Sequence, residues 1–268
     1  MEDIVINKIE DMEKCNYSVK YFCNSLPAWK RKKDPILSRI IYRPLSFVFA
    51  SFCAKAGISA NTVSYFSTVE AIIACSFFLY GTHTCNIIGA VLINLWLLLD
   101  CIDGNLARSV KKQPFGEFAD SSSSYVLVGI MGTCIGFAAY HQGGIFFEPG
   151  CEWLMLMGAL GSNADSLMRL IYQKYKNVER KMADMGVLEV EHENRIDNAH
   201  VGSFKVRVEN ELGIGGFLPF ASLVCAVYDA LDIFVIYCFC YYGASFLVST
   251  SILIRKAIKK SHQYEMPE

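Results

Sequence analysis

Three aspartates stand where the chain carries few charges. Asp100 and Asp103 close a long apolar stretch three residues apart, so a helix would carry both carboxylates on one face. Gly104, Ala107 and Arg108 follow, then a short basic link with Pro114, then Gly116 and, one turn into the next apolar stretch, Asp120. Two antiparallel helices joined by that link aim three carboxylates and one guanidinium at a common point. Carboxylates gathered in a poorly hydrated place repel one another unless a cation lies between them. Hard oxygen ligands favour Mg²⁺, Mn²⁺ or Ca²⁺. Gly104 and Ala107 leave room for a ligand against the helix, and Arg108 can grip a phosphate through two donors. The N-terminus of the following helix adds its positive dipole end. Together these residues describe a metal–diphosphate site.

The spacing reads D-x2-D-G-x2-A-R-x7-G-x3-D. Seven fixed positions at roughly one in 15 each make a chance match on the order of 10⁻⁸ per starting point. The pattern resembles the signature of the CDP-alcohol phosphotransferase family, which continues with x3-D. The resemblance covers about residues 58–125 by motif and the remainder by span count. It implies a membrane transferase. A CDP-alcohol binds, an acceptor oxygen attacks the phosphorus on the alcohol side, CMP leaves, and the product belongs to phospholipid or lipid-linked glycan synthesis. By the same resemblance Asp100, Asp103 and Asp120 hold one or two metal ions. Asp100, Gly104, Ala107 and Arg108 line the CDP pocket, and Gly116 lets two helices pack closely. Upstream, Ala60-Asn61-Thr62-Val63-Ser64 echoes the family's Pro-Asn-x-x-Thr near the cytidine pocket. Asn61 and Ser64 serve the nucleotide on that reading, and a helix N-cap explains them equally well. The family also implies a homodimer.

At position 124, where the family has a fourth aspartate, stands Ser124. By the resemblance that residue binds the second metal and takes the proton of the acceptor hydroxyl. A serine hydroxyl takes no proton at neutral pH, and a general base is worth about 10²–10⁴-fold. Four readings follow. The chain is a catalytically impaired CDP-binding member; or the acceptor is already anionic and needs no base; or another carboxylate substitutes, Asp165 first and Glu117 second; or water or a remaining aspartate suffices. Arg169 and Lys174 are candidates for gripping an acceptor or lipid phosphate, against a plain role as snorkelling anchors. Ser122 and Ser123 read as small residues for helix packing, bonded back to their own helix.

These residues need helices to position them. Of 268 residues 53% are hydrophobic and only 19% charged, and the formal net charge is −1. A soluble domain usually carries about 25% charge, and here the shortfall falls in blocks of about 20 residues, which is bilayer length. The balance excludes a strongly basic nucleic-acid binder and a disordered chain. The expected fold is all-α and polytopic. Six transmembrane helices lie near 62–80, 86–107, 116–140 and 152–172, with two more in 215–254 that turn near 228–232. Before them, 36–56 carries Arg39, Arg43 and Lys55 around an apolar stripe and reads as an amphipathic helix lying in the interface. The expected divisions are a cytosolic N-terminus with that helix (1–57), the membrane domain (58–258) and a cytosolic tail (259–268), with a charged soluble loop at 174–212.

Lys and Arg crowd the N-terminus, 108–112, 174–181 and 255–260, while the turns at 81–85, 141–150 and 228–232 have none. That asymmetry places both termini and the aspartates on the cytosolic side of an integral membrane protein, in a bacterial inner membrane or a eukaryotic endomembrane. The eleven cysteines lie mostly inside apolar runs without metal-ligand spacing and read as small hydrophobes, with Cys85 and Cys151 near the same external side. A transporter is the competing class, but its carboxylates would line a path rather than gather at one face.

Overall fold

The computed structural model describes residues 17–187 and 210–263. Among them there are helices and no strands. Three of the helices lie before residue 60. They are α1 (Val19–Ser25), α2 (Ala28–Lys33) and α3 (Arg43–Lys55), the last entered through a π-helical turn, Ser38–Tyr42. Six helices follow: α4 (Ala60–Phe78), α5 (His83–Ser109), α6 (Gly116–Gln142), α7 (Glu152–Asp184), α8 (Leu218–Val227) and α9 (Leu231–Gln263).

Local chemistry explains the boundaries that matter for the site. Ser59 caps α4, its Oγ accepting the Thr62 N–H at 3.1 Å. This corrects the capping reading of Asn61 and Ser64, which lie inside the helix. Arg108 sits in the last turn of α5, where a cation suits the helix dipole. Phe115 takes a left-handed φ of 57° and lets the chain reverse into α6. Between α8 and α9 the chain turns at 228–230, with Asp229 at φ 53°, where the sequence pattern predicts the reversal.

Among the described residues three helices, α5, α6 and α9, are long and apolar enough to cross a membrane. The apolar run of α7 is broken by Asp165 and Arg169, and α4 carries Glu70 and several hydroxyls. The 10 residues of α8 reach about 15 Å, half a hydrocarbon core of about 30 Å. The loop expected at 174–212 begins later, because α7 stays helical to Asp184. Its remaining part, 188–209, lies outside the described residues, as do 1–16 and 264–268; the tail expected from 259 is helical as far as Gln263.

The main core joins α4 through α9 around Trp96, Phe78, Ile93, Leu127, Met131 and Phe234. A second cluster (Phe22, Leu26, Phe47, Ala50, Ile102, Leu106) fastens α1 and α3 to the C-terminal end of α5. Around that end, α4 packs on α5 and α6, α6 on α7, and α7 on α9. The α6–α7 contact is close enough that a Cβ on Gly158 would lie 2.2 Å from the Gly132 carbonyl oxygen. Small residues let helix backbones approach this way. The described cysteines, Cys85 and Cys151 included, are free thiols.

Candidate active site

Asp100 and Asp103 on α5 meet Asp120 on α6, and the three offer carboxylate oxygens within 4.8 Å of one another. Asp103 is buried and accepts a hydrogen bond from Ser64 Oγ at 2.6 Å; Asp100 is half-buried and Asp120 exposed. Among the described residues none of the three forms an ion pair with Lys or Arg. Converged, oxygen-only and without a direct ion pair among the described residues, the set fits a hard divalent cation.

Two cavities meet at this trio. The first, about 400 Å³, lies between the start of α4, the end of α5 and the start of α6. Asn61, Ser64, Asp103, Gly104, Ala107, Arg108, Gly116 and Asp120 all line it, so the residues expected at the CDP pocket come together except Asp100, with Lys112 and Glu117 added. The Arg108 guanidinium lies over Gly104, where a Cβ would stand 3.0 Å from one of its nitrogens. Asn61 Nδ2 donates to the Pro114 carbonyl at 2.9 Å and ties α4 to the α5–α6 link. Gly116 has a different role from the expected close packing. A Cβ there would meet Asn61 Oδ1 at an ordinary 3.5 Å, and the bare backbone opens the cavity instead.

The second cavity, about 320 Å³, lies on the other side of α5 and is lined by Asp100 together with Lys30, Lys33, Arg43, Asp165 and Arg169. Asp100 therefore faces this cavity rather than the first. Asp165 is 1% exposed and pairs with Arg169 Nε at 2.5 Å, and that guanidinium also sits 5.3 Å above the Tyr125 ring. Lys174 is exposed and lines neither cavity, so the structure does not bring it to the site.

Arg43 is the residue that sequence reasoning placed elsewhere. Instead of anchoring an interfacial helix it is buried, and it binds both oxygens of Asp34 at 2.7 and 3.1 Å. Burial pushes the Asp34 carboxyl up, but Arg43 and Lys30 together hold it below its ordinary value. A guanidinium within an apolar stripe was the available signal, since such a charge seeks a partner.

Ser124 donates its hydroxyl to the Ser121 carbonyl at 3.0 Å, one turn back, and lines neither cavity. Ser123 does not bond back to its own helix as expected. It is buried between helices, accepting from Trp96 Nε1 at 2.7 Å and sharing a hydrogen bond with Ser67 Oγ at 2.7 Å.

Residues 58–190 match the family model described as CDP-alcohol phosphatidyltransferase. A phosphatidylinositol phosphate synthase of Streptomyces avermitilis is 34% identical over 99 residues, covering 36% of this chain and 38% of that protein. The match thus spans well under two thirds of the relative's length.

Proposed function

We propose, from the premise that residues 58–190 belong to the CDP-alcohol phosphatidyltransferase family, that this protein moves a substituted phosphate from a CDP-alcohol to an acceptor and releases CMP. The observation that carries the reading is the placement of one carboxylate trio at the boundary of two cavities, Asp103 and Asp120 on one side and Asp100 on the other. A donor diphosphate in the first cavity and an acceptor in the second would meet there.

The chain's own residues supply binding and orientation. Arg108 offers a forked donor pair to the diphosphate, Asn61 and Ser64 border the nucleotide end, and Ser64 holds the Asp103 carboxylate in place. Asp100, Asp103 and Asp120 would hold a divalent cation, Mg²⁺ above all, whose charge offsets that gathering on the phosphoryl oxygens. On the acceptor side Lys30, Lys33, Arg43 and Arg169 outnumber the carboxylates Asp34, Asp100 and Asp165. That excess favours an acceptor whose attacking oxygen is already anionic, and such an oxygen needs no base at position 124. Asp165 borders the same cavity and would have to leave its Arg169 pair to take a proton from an acceptor hydroxyl, so undiminished turnover in Asp165→Asn would remove it from the mechanism. The name of the Streptomyces relative agrees with a lipid product.

A second reading has its own observation. Ser124 is turned into its helix and contributes no basic group. On that ground the protein is a CDP-binding member with little turnover. Detergent-purified protein should be thermally stabilised by CDP with Mg²⁺; no shift would sink both readings. CMP release from a panel of CDP-alcohols and phosphorylated acceptors then divides them, and silence across the panel would leave only the binder.

The same reading gathers α4–α9 in an integral membrane domain, with α3 in the interface and both termini and the trio on the cytosolic side. It is supported by the outward apolar side chains of α3 (Leu45, Val48, Phe49, Phe52) and of α4 (Tyr65, Phe66, Val69, Ile72, Ile73).

A further inference from the structure

Asn105 lines neither cavity, yet a guanidinium from each converges on it. It is 2% exposed, on α5 between Gly104 and Arg108. Its Oδ1 accepts from Arg108 Nη2 at 3.2 Å and from Arg43 Nη1 at 3.4 Å. Its Nδ2 donates to Ser46 Oγ at 2.9 Å, and Ser46 Oγ gives its own proton to the Arg43 carbonyl at 2.8 Å. Ser46 has one proton and has spent it, so towards Asn105 it can only accept. A flipped amide would set Oδ1 against an oxygen with no proton to offer and its NH₂ against two cations. The amide therefore has one satisfied orientation, with its oxygen towards the arginines. Asp34 offsets the charge of Arg43 through the two-oxygen pair and makes this meeting of like charges tolerable.

From this geometry we infer that Asn105 is a positioning residue for Arg108, keyed by Ser46 and Arg43 of α3, an element outside the matched segment 58–190. The Arg108 side chain is long and rotamer-rich, and a single fixed acceptor at its guanidinium end selects the conformer that lies over Gly104 and borders the nucleotide-side cavity. The inference rests on the proposed CDP reading of that cavity.

The test measures CDP binding with Mg²⁺ by calorimetry on the full chain in detergent, for wild type, Asn105→Leu, Arg108→Ala and the double variant. Asn105→Leu keeps the size and removes the acceptor, and is expected to weaken CDP about tenfold. In the Arg108→Ala background the same change should cost nothing further, which a merely structural role would not reproduce. Equal losses in both backgrounds, or no loss in a folded Asn105→Leu, would overturn the inference. Should Asn105→Leu fail to fold, Ser46→Ala releases the amide with a smaller perturbation. A severalfold loss of CDP affinity that vanishes in the Arg108→Ala background supports the inference, and unchanged affinity overturns it. If wild type binds no CDP at all, the nucleotide reading fails and takes the positioning role with it.

Discussion

Asp103 shows how much of the site was legible residue by residue. Helical spacing alone put it on the face of Asp100, and the reversal at Pro114 brought Asp120 to both, because these relations are local to two adjacent helices. Arg43, Asp34 and Asn105 were not legible. Their meeting depends on how α3 docks on α5, and no spacing along the chain reports that. Lys174 fails for a local reason: five positions beyond Arg169, it lies about 140° round the helix from it. Position 124 carries the sharpest prediction. If the acceptor oxygen is anionic, Ser124→Asp leaves CMP release unchanged or lowers it by adding like charge near the trio. A gain approaching 10²–10⁴-fold would identify an enzyme that lacks only its base.

Among the elements, α5 is the one that both cavities share, and its apolar length was plain from composition. The extension of α7 was not, since a charged sequence reads as loop until its partners are known. Glu179 on α7 pairs with Lys176 at 3.1 Å and with Lys260 of α9, so the helix runs on with its charges matched. Burial pushes the Glu179 carboxyl up, but Lys260 and Lys176 hold it below its ordinary value. The α6–α7 contact depends on missing side chains. Gly158→Ala would drive a methyl into the Gly132 carbonyl, and we expect a loss of about 1–3 kcal/mol of stability, read as a lowered melting temperature in detergent. Gly150→Ala serves as the contrast for crowding, because nothing lies within 4 Å of its added methyl, although its φ of +90° adds backbone strain of its own.

At the scale of the molecule, the N-terminal helices complete a site that the aspartate-bearing helices begin. Lys30, Lys33, Asp34 and Arg43 all precede the matched segment and all border the second cavity. The charge asymmetry along the sequence predicts that Cys85, in the first turn of α5, reacts with a membrane-impermeant maleimide from the extracytosolic side of sealed vesicles. Reaction only from the cytosolic side would invert the topology.

The division of the carboxylate trio between two cavities also bears on handedness. If the acceptor oxygen arrives past Asp100 while CMP departs past Asp103 and Asp120, attacking and leaving oxygens lie on opposite sides of one phosphorus. A single displacement of that kind turns the phosphorus inside out like an umbrella. A donor made chiral at that atom with sulfur and an oxygen isotope should give product of inverted configuration; retention would require two successive displacements and a covalent stop on the protein between them.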